Sequence, residues 1–277
     1  MPQPLRVLPD PTAETEPAER PPIDDFGFDT AYTASVQGPG VWVYRNYFRV
    51  DTDGVENVPA RGRALLVANH AGVVPYDGAM IRLAVLAEHS EPRHARMLVA
   101  DWAFALPFLG MFLQKTGNVV AHPDNATELL ERDELVGVFP EGIKGATKRF
   151  ADRYRVRRFG RGGFIQVALR TGAPIIPVAV VGSEEIHPVL FDIPAVAEVL
   201  GLPAFPVTPT WPLLGPLGAV PLPSKWIISF GEPIRLDGYG PEDATDPATV
   251  LDLSERVRSR IQVRLHELLG KRRSAFH

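Results

Sequence analysis

ALLVANHAGVVPYDGAMIRLAVLA, residues 64–87, carries the pattern from which the fold is read. Its first six residues are a short apolar run, which predicts a buried strand ending at Asn69. From Asp77 to about Ala87, Met80, Ile81, Ala84 and Val85 share one face, which predicts a helix capped by Asp77. Between the two lies a loop bent by Gly72 and Pro75 that carries His70.

The same alternation recurs outward from this unit. RMLVA (96–100) reads as a strand, with a helix at 103–115. GNVVA (117–121) is a second short strand, and Asp124 or Asn125 caps a helix to about Arg132. Leu135 to Phe139 is a strand stopped by Pro140; 161–172 has helical spacing and stops at Gly172. APIIPVAVVG (173–182) and WIISFGEPI (226–234) are further strands, and VWVYRNYFRV (41–50) reads as the end of a helix or as a strand, with a strand from about Tyr47 and a turn at Asp53-Gly54 favoured. The last helix, about 247–270, has a seam of Leu253, Val257, Ile261, Leu265 and Leu268. Strands alternating with helices predict an α/β fold: a mostly parallel mixed sheet flanked by helices.

Composition sets the outer limits. A chain of 277 residues with 45% hydrophobic and 22% charged residues buries a substantial core. A net charge of −4 argues against nucleic acid as a partner. The absence of cysteine excludes disulfides, thiol catalysis and cysteine–zinc sites. Residues 1–25, with seven prolines and few large apolar groups, read as a disordered Pro-rich tail, leaving 26–277 as one domain. Residues 199–224 contain no charge but seven prolines, which forbid a regular membrane-spanning helix. That segment is either an apolar loop over the core or a lip at a membrane or acyl-chain groove, with Trp211, Leu213, Leu214 and Leu217 in contact.

The chemistry-bearing residues sit at predicted strand ends. A neutral imidazole is the usual base near pH 7, and Asp77 can hold the other ring nitrogen of His70. Asn69 braces the loop. VFPEG (138–142) puts Glu141 and Gly142 at the end of another apolar run, where open α/β sheets bind ligands. Base, orienting carboxylate and second acid suit activation of a hydroxyl group. Residues 144–161 carry eight basic side chains against one acid; Lys144, Lys148 and Arg149 are nearest the site and suit an anion, as do the amides around Gly160, Gly162 and Gly163. No G-x-S-x-G, Walker loop or zinc spacing is present.

Asn69-His70 with a downstream Asp77, FPEG at 139–142 and the proline-bounded strand 173–182, in this order, resemble the glycerolipid acyltransferases of PlsC type over about Tyr47 to Ile234. The resemblance implies His70 and Asp77 as the catalytic pair. It implies substrate binding by Asn69, Phe139, Pro140, Glu141, Gly142, Lys144, Lys148 and Arg149. The implied activity is 1-acylglycerol-3-phosphate acyltransferase-like: an acyl group moves from acyl-CoA or acyl carrier protein to a hydroxyl of a lysophospholipid or related lipid. No metal and no cofactor beyond the acyl donor is expected. Two features depart from the family pattern. Six residues rather than four separate His70 from Asp77, and His122 stands where an arginine is looked for. These departures raise the alternative of a catalytically silent, membrane-associated lipid-binding protein on the same fold. The expected location is cytoplasmic, peripheral on the inner face of the cell membrane, through 205–217 and the basic C-terminal helix.

Overall fold

The structure, a computed structural model, describes residues 22–72, 74, 76–272, 274 and 275. The predicted tail up to residue 21 lies outside them, as do Val73, Pro75 and Arg273. The chain begins with α1 (Thr30–Trp42), β1 (Asp51–Asp53), β2 (Ala64–Ala68), α2 (Tyr76–Glu88) and β3 (Ala95–Val99). Then come α3 (Asp101–Phe104), α4 (Leu109–Lys115), β4 (Val119–Val120), α5 (Pro123–Glu131), β5 (Leu135–Val138) and α6 (Ile143–Ala146). It continues through α7 (Gly163–Thr171), β6 (Ile175–Val181), β7 (Phe191–Asp192), α8 (Pro194–Leu200) and β8 (Pro206–Val207), and ends with β9 (Ile227–Phe230) and α9 (Pro247–Lys271).

Seven strands form one sheet in the order β1-β9-β6-β2-β5-β3-β4. β6, β2, β5, β3 and β4 run parallel; β9 is antiparallel to β6, and β1 is parallel to β9. All five positions of β2 are buried, because helices cover both faces of the sheet at its centre. Alternate side chains go to opposite cores. Leu65 and Val67 pack with residues of α5, α7 and α9, while Leu66 and Ala68 pack with α2, Tyr44 and Phe48. The α9 seam (Leu253, Val257, Ile261, Leu265, Leu268) is buried as its spacing predicts.

Register positions the site. Val67 of β2 lies opposite Val138 of β5, and Ala68 opposite Val178 of β6. Three residues beyond Val67 and Val138 come His70 and Glu141, so both emerge together at the C-terminal edge of the central strands.

Several local expectations are corrected. Residues 43–47 continue α1 as a π-helical turn instead of opening a strand; Tyr44 and Phe48, four apart, are both buried against the sheet. The 103–115 helix is split into α3 and α4 at Pro107, which cannot donate within a helix, and Phe108 follows with φ 63°. His122, not Asp124 or Asn125, caps α5, its Nδ1 accepting from the Asp124 amide at 3.3 Å. Residues 22–25 belong to the ordered fold rather than the tail: Asp24 accepts from Arg96 at 2.6 Å and from the amides of Phe26 and Phe28. Segment 199–224 contains β8, a cis Trp211–Pro212 bond and a 3₁₀ turn. It is tied to the site loop by the Tyr76 hydroxyl, which donates to the Ala219 carbonyl at 3.2 Å.

Candidate active site

Asp77 lies inside the first turn of α2 rather than ahead of it, and its carboxylate is fully buried. Oδ2 accepts from His70 Nδ1 at 2.7 Å and from the Ala71 amide at 3.0 Å; Oδ1 accepts from the Gly78 amide at 2.8 Å. The six-residue spacing therefore brings His70 and Asp77 into direct contact. An imidazole that donates through Nδ1 keeps Nε2 as its acceptor. Its ring stacks on Phe139, with centroids 4.4 Å apart and planes 27° apart. Burial alone would push the His70 imidazole down. The Asp77 charge and hydrogen bond, with Glu141 nearby, outweigh this and hold it above the ordinary histidine value.

Glu141 has a different role from the one expected. Its carboxylate is fully buried: Oε1 accepts from the His70 amide at 2.9 Å, and Oε2 from the Arg157 amide at 2.7 Å, with Lys148 Nζ at 3.3 Å. Both oxygens are engaged inside the protein, so it is a clamp that fixes the His70 backbone. Lys148 is corrected likewise. It is buried between Glu141 and Glu184 (3.0 Å), two carboxylates for one ammonium, so it is not an anion-binding side chain. Burial pushes the Glu184 carboxyl up against the opposing pull of Lys148.

Asn69 is buried and braces β2 against β6, donating to the Val180 carbonyl at 3.0 Å and accepting from its amide at 2.8 Å. Pro140 accepts from Gly160 through its carbonyl, and the Gly142 amide donates to the Phe139 carbonyl. Lys144 and Arg149 are exposed. Of the glycines at 160, 162 and 163, Gly162, φ 74°, packs on Val250 of α9, where a Cβ would lie 2.4 Å from Val250 Cγ1. Residue type and spacing did not single out Glu184, Arg157 or Gly145. At Gly145 a Cβ would sit 2.5 Å from Glu141 Cβ and 3.2 Å from His70 Cβ, so only glycine lets α6 cross this close.

His70 and Phe139 open onto a cavity of about 540 Å³ between α1, α2 and the α3–α4 pair, lined chiefly by apolar side chains such as Val36, Leu83, Leu86, Met97 and Phe112. A smaller cavity of about 220 Å³ lies between the site loop, at Gly72 and Val74, and the 199–224 lip, where Trp211 points inward. Leu213, Leu214 and Leu217 on the same lip face outward. Among the described residues, no helix is long and apolar enough to cross a membrane.

A base held by a buried carboxylate at the mouth of an apolar cavity can take a proton from a lipid hydroxyl. Residues 49–181 match the family described as Acyltransferase, a span that holds the whole His70–Asp77–Glu141 cluster. Over this span the chain belongs to the family described as Acyltransferase. An uncharacterized protein of Mycobacterium tuberculosis is 50% identical over 92% of this chain and 71% of its own length. A Gallus gallus protein named DGAT1/2-independent enzyme synthesizing storage lipids is 26% identical over 66% of this chain and 52% of its own. The crystal structure of the 1-acyl-sn-glycerophosphate (LPA) acyltransferase PlsC from Thermotoga maritima shares the fold, with TM-score 0.56 and 19% identity over 87% of this chain and 81% of that one. The family supports acyl transfer involving lipids; the α/β architecture expected from the sequence is the one found.

Proposed function

We propose that this acyltransferase moves a fatty acyl group from acyl-CoA or acyl carrier protein to a hydroxyl of a lysophospholipid or related lipid, with His70 as general base. The observation that carries it is the His70–Asp77 pair, 2.7 Å apart, at the mouth of an apolar cavity large enough for an acyl chain. His70 Nε2 takes the hydroxyl proton as the oxygen attacks the thioester carbonyl. The tetrahedral oxyanion then collapses, the C–S bond breaks, and the leaving thiolate takes the proton from the imidazolium. The Ala71 amide is committed to Asp77 and the Gly142 amide to Phe139, so neither is free for the oxyanion.

The names of the relatives, a lysophosphatidate acyltransferase and a storage-lipid enzyme, support a lipid acceptor without choosing between them. The exposed Leu213, Leu214 and Leu217 support a peripheral seat on the inner membrane face. On α9, Arg258 and Arg264 pair with Glu255 and Glu267, which leaves Arg256 and Arg260 for acidic headgroups. The test is transfer from radiolabelled palmitoyl-CoA to lysophosphatidate and to neutral glycerides. His70→Ala is expected to lower the rate about 10²- to 10⁴-fold. Wild type and variant equally inert across acceptors and donors would sink the enzyme reading in favour of a silent lipid-binding protein. Release of free acid without acceptor would make it a thioesterase.

A further inference from the structure

The large cavity is not uniformly apolar. Arg82 lines it, on the α2 row Gly78, Arg82, Leu86 that faces the cavity at successive turns. The residue is 8% exposed, and its Nε is buried without an acceptor. Among the described residues, none hydrogen-bonds or ion-pairs with it, and no carboxylate lines the cavity. The neighbouring buried arginine, although its Nη2 is also without a partner, has the carboxylate that Arg82 lacks. Arg96 donates from Nε to the Gly117 carbonyl at 2.8 Å and from Nη1 to Asp24 at 2.6 Å, and lies against the Phe28 ring.

The neutral polar side chains that line the cavity, Thr33, Gln37, Thr116 and Asn118, make no hydrogen bond to Arg82, and none of them carries a charge to balance a guanidinium. Burial, with Arg96 adding repulsion, pushes the Arg82 guanidinium down to about 10, so it stays charged at neutral pH. A cation in such a place needs an anion or costs stability, and a plain alkyl chain would bury it further.

We propose that Arg82 pairs with an anionic oxygen group, carboxylate or phosphate, on the amphipathic lipid that occupies this cavity, and so selects anionic lipids over neutral ones. The proposal rests on the cavity's being a lipid site, but not on His70 as base. The planar fork of the guanidinium suits both anions.

Calorimetry on the full chain tests it with three probes of equal chain length: hexadecanoate, hexadecyl phosphate and hexadecanol. Wild type should bind at least one anion roughly 10- to 100-fold tighter than the alcohol, as a charge-assisted hydrogen bond provides. Which anion binds tighter tells a carboxylate source from a phosphate source. Arg82→Met should lose that preference, keep or gain affinity for hexadecanol, and melt higher than wild type without ligand. Equal affinity of wild type for all three probes would overturn the proposal, whatever the variant does, and so would a preference that survives in Arg82→Met. His70→Ala should keep the preference. A dead His70→Ala alongside a wild type without preference refutes the Arg82 assignment alone. An active His70→Ala alongside an intact preference refutes the base assignment alone.

Discussion

Asp77→Asn removes one charge at nearly constant volume, and the hydrogen bonds around the carboxylate set its cost. Oδ2 serves two donors, His70 Nδ1 and the Ala71 amide, while Oδ1 serves the Gly78 amide. An asparagine has one oxygen, so its NH₂ must face at least one of these N–H groups. With the oxygen kept toward His70, the buried Gly78 amide loses its acceptor, at about 1–3 kcal/mol of stability. The His70 bond loses its charge assistance, the difference of about 1–1.5 kcal/mol between a charged and a neutral hydrogen bond, which converts to roughly 5- to 13-fold in kcat/KM. The pH profile carries the sharper signature. The base must be neutral, so the rate rises with pH through the His70 pKa. In wild type that limb lies above the ordinary value of about 6.5, because Asp77 and Glu141 outweigh burial. Without the carboxylate, burial dominates and the limb moves to lower pH, while the plateau falls. The folded-state pKa of His70 is raised, so its stabilising contribution is complete below the unfolded value and fades as pH rises through the folded one. The gap in Tm between wild type and Asp77→Asn should narrow over that window. The assay is kcat/KM for acyl transfer from palmitoyl-CoA at half-unit pH steps. A variant with an unmoved ascending limb and less than a threefold loss would refute the pairing as a catalytic device.

Two further outcomes rest on the same packing. Lys148→Met leaves Glu141 and Glu184 buried without their cation and should lower stability by about 3–5 kcal/mol in urea unfolding, whereas Lys144→Met, at an exposed position, should change it little. Replacing Leu213, Leu214 and Leu217 with serine should reduce co-sedimentation with acidic vesicles while leaving Tm close to wild type; unchanged binding would remove the lip from the membrane contact.

Much of the architecture was legible because it is local. β2, α2, β5, β6 and α9 announce themselves through apolar runs and periodic faces, and structure follows those patterns closely. Segment 41–50 misled because aromatic and β-branched residues favour strands, while the four-residue spacing of Tyr44 and Phe48 marks a buried helical face. The His70–Asp77 pair was readable from type and spacing, since one loop joins both residues.

The roles of Glu141, Lys148 and Arg82 were not readable, and for one reason. Each depends on the groups around the side chain, and those surroundings come from distant parts of the chain. Glu141 meets the amides of His70 and Arg157, Lys148 meets Glu184, and Arg82 meets no acceptor among the described residues. Residue order dictates strand, helix and candidate chemistry because backbone geometry and hydrophobic periodicity act over a few positions. Whether a charge ends up satisfied or stranded is settled by folding, because desolvation and pairing depend on neighbours in space.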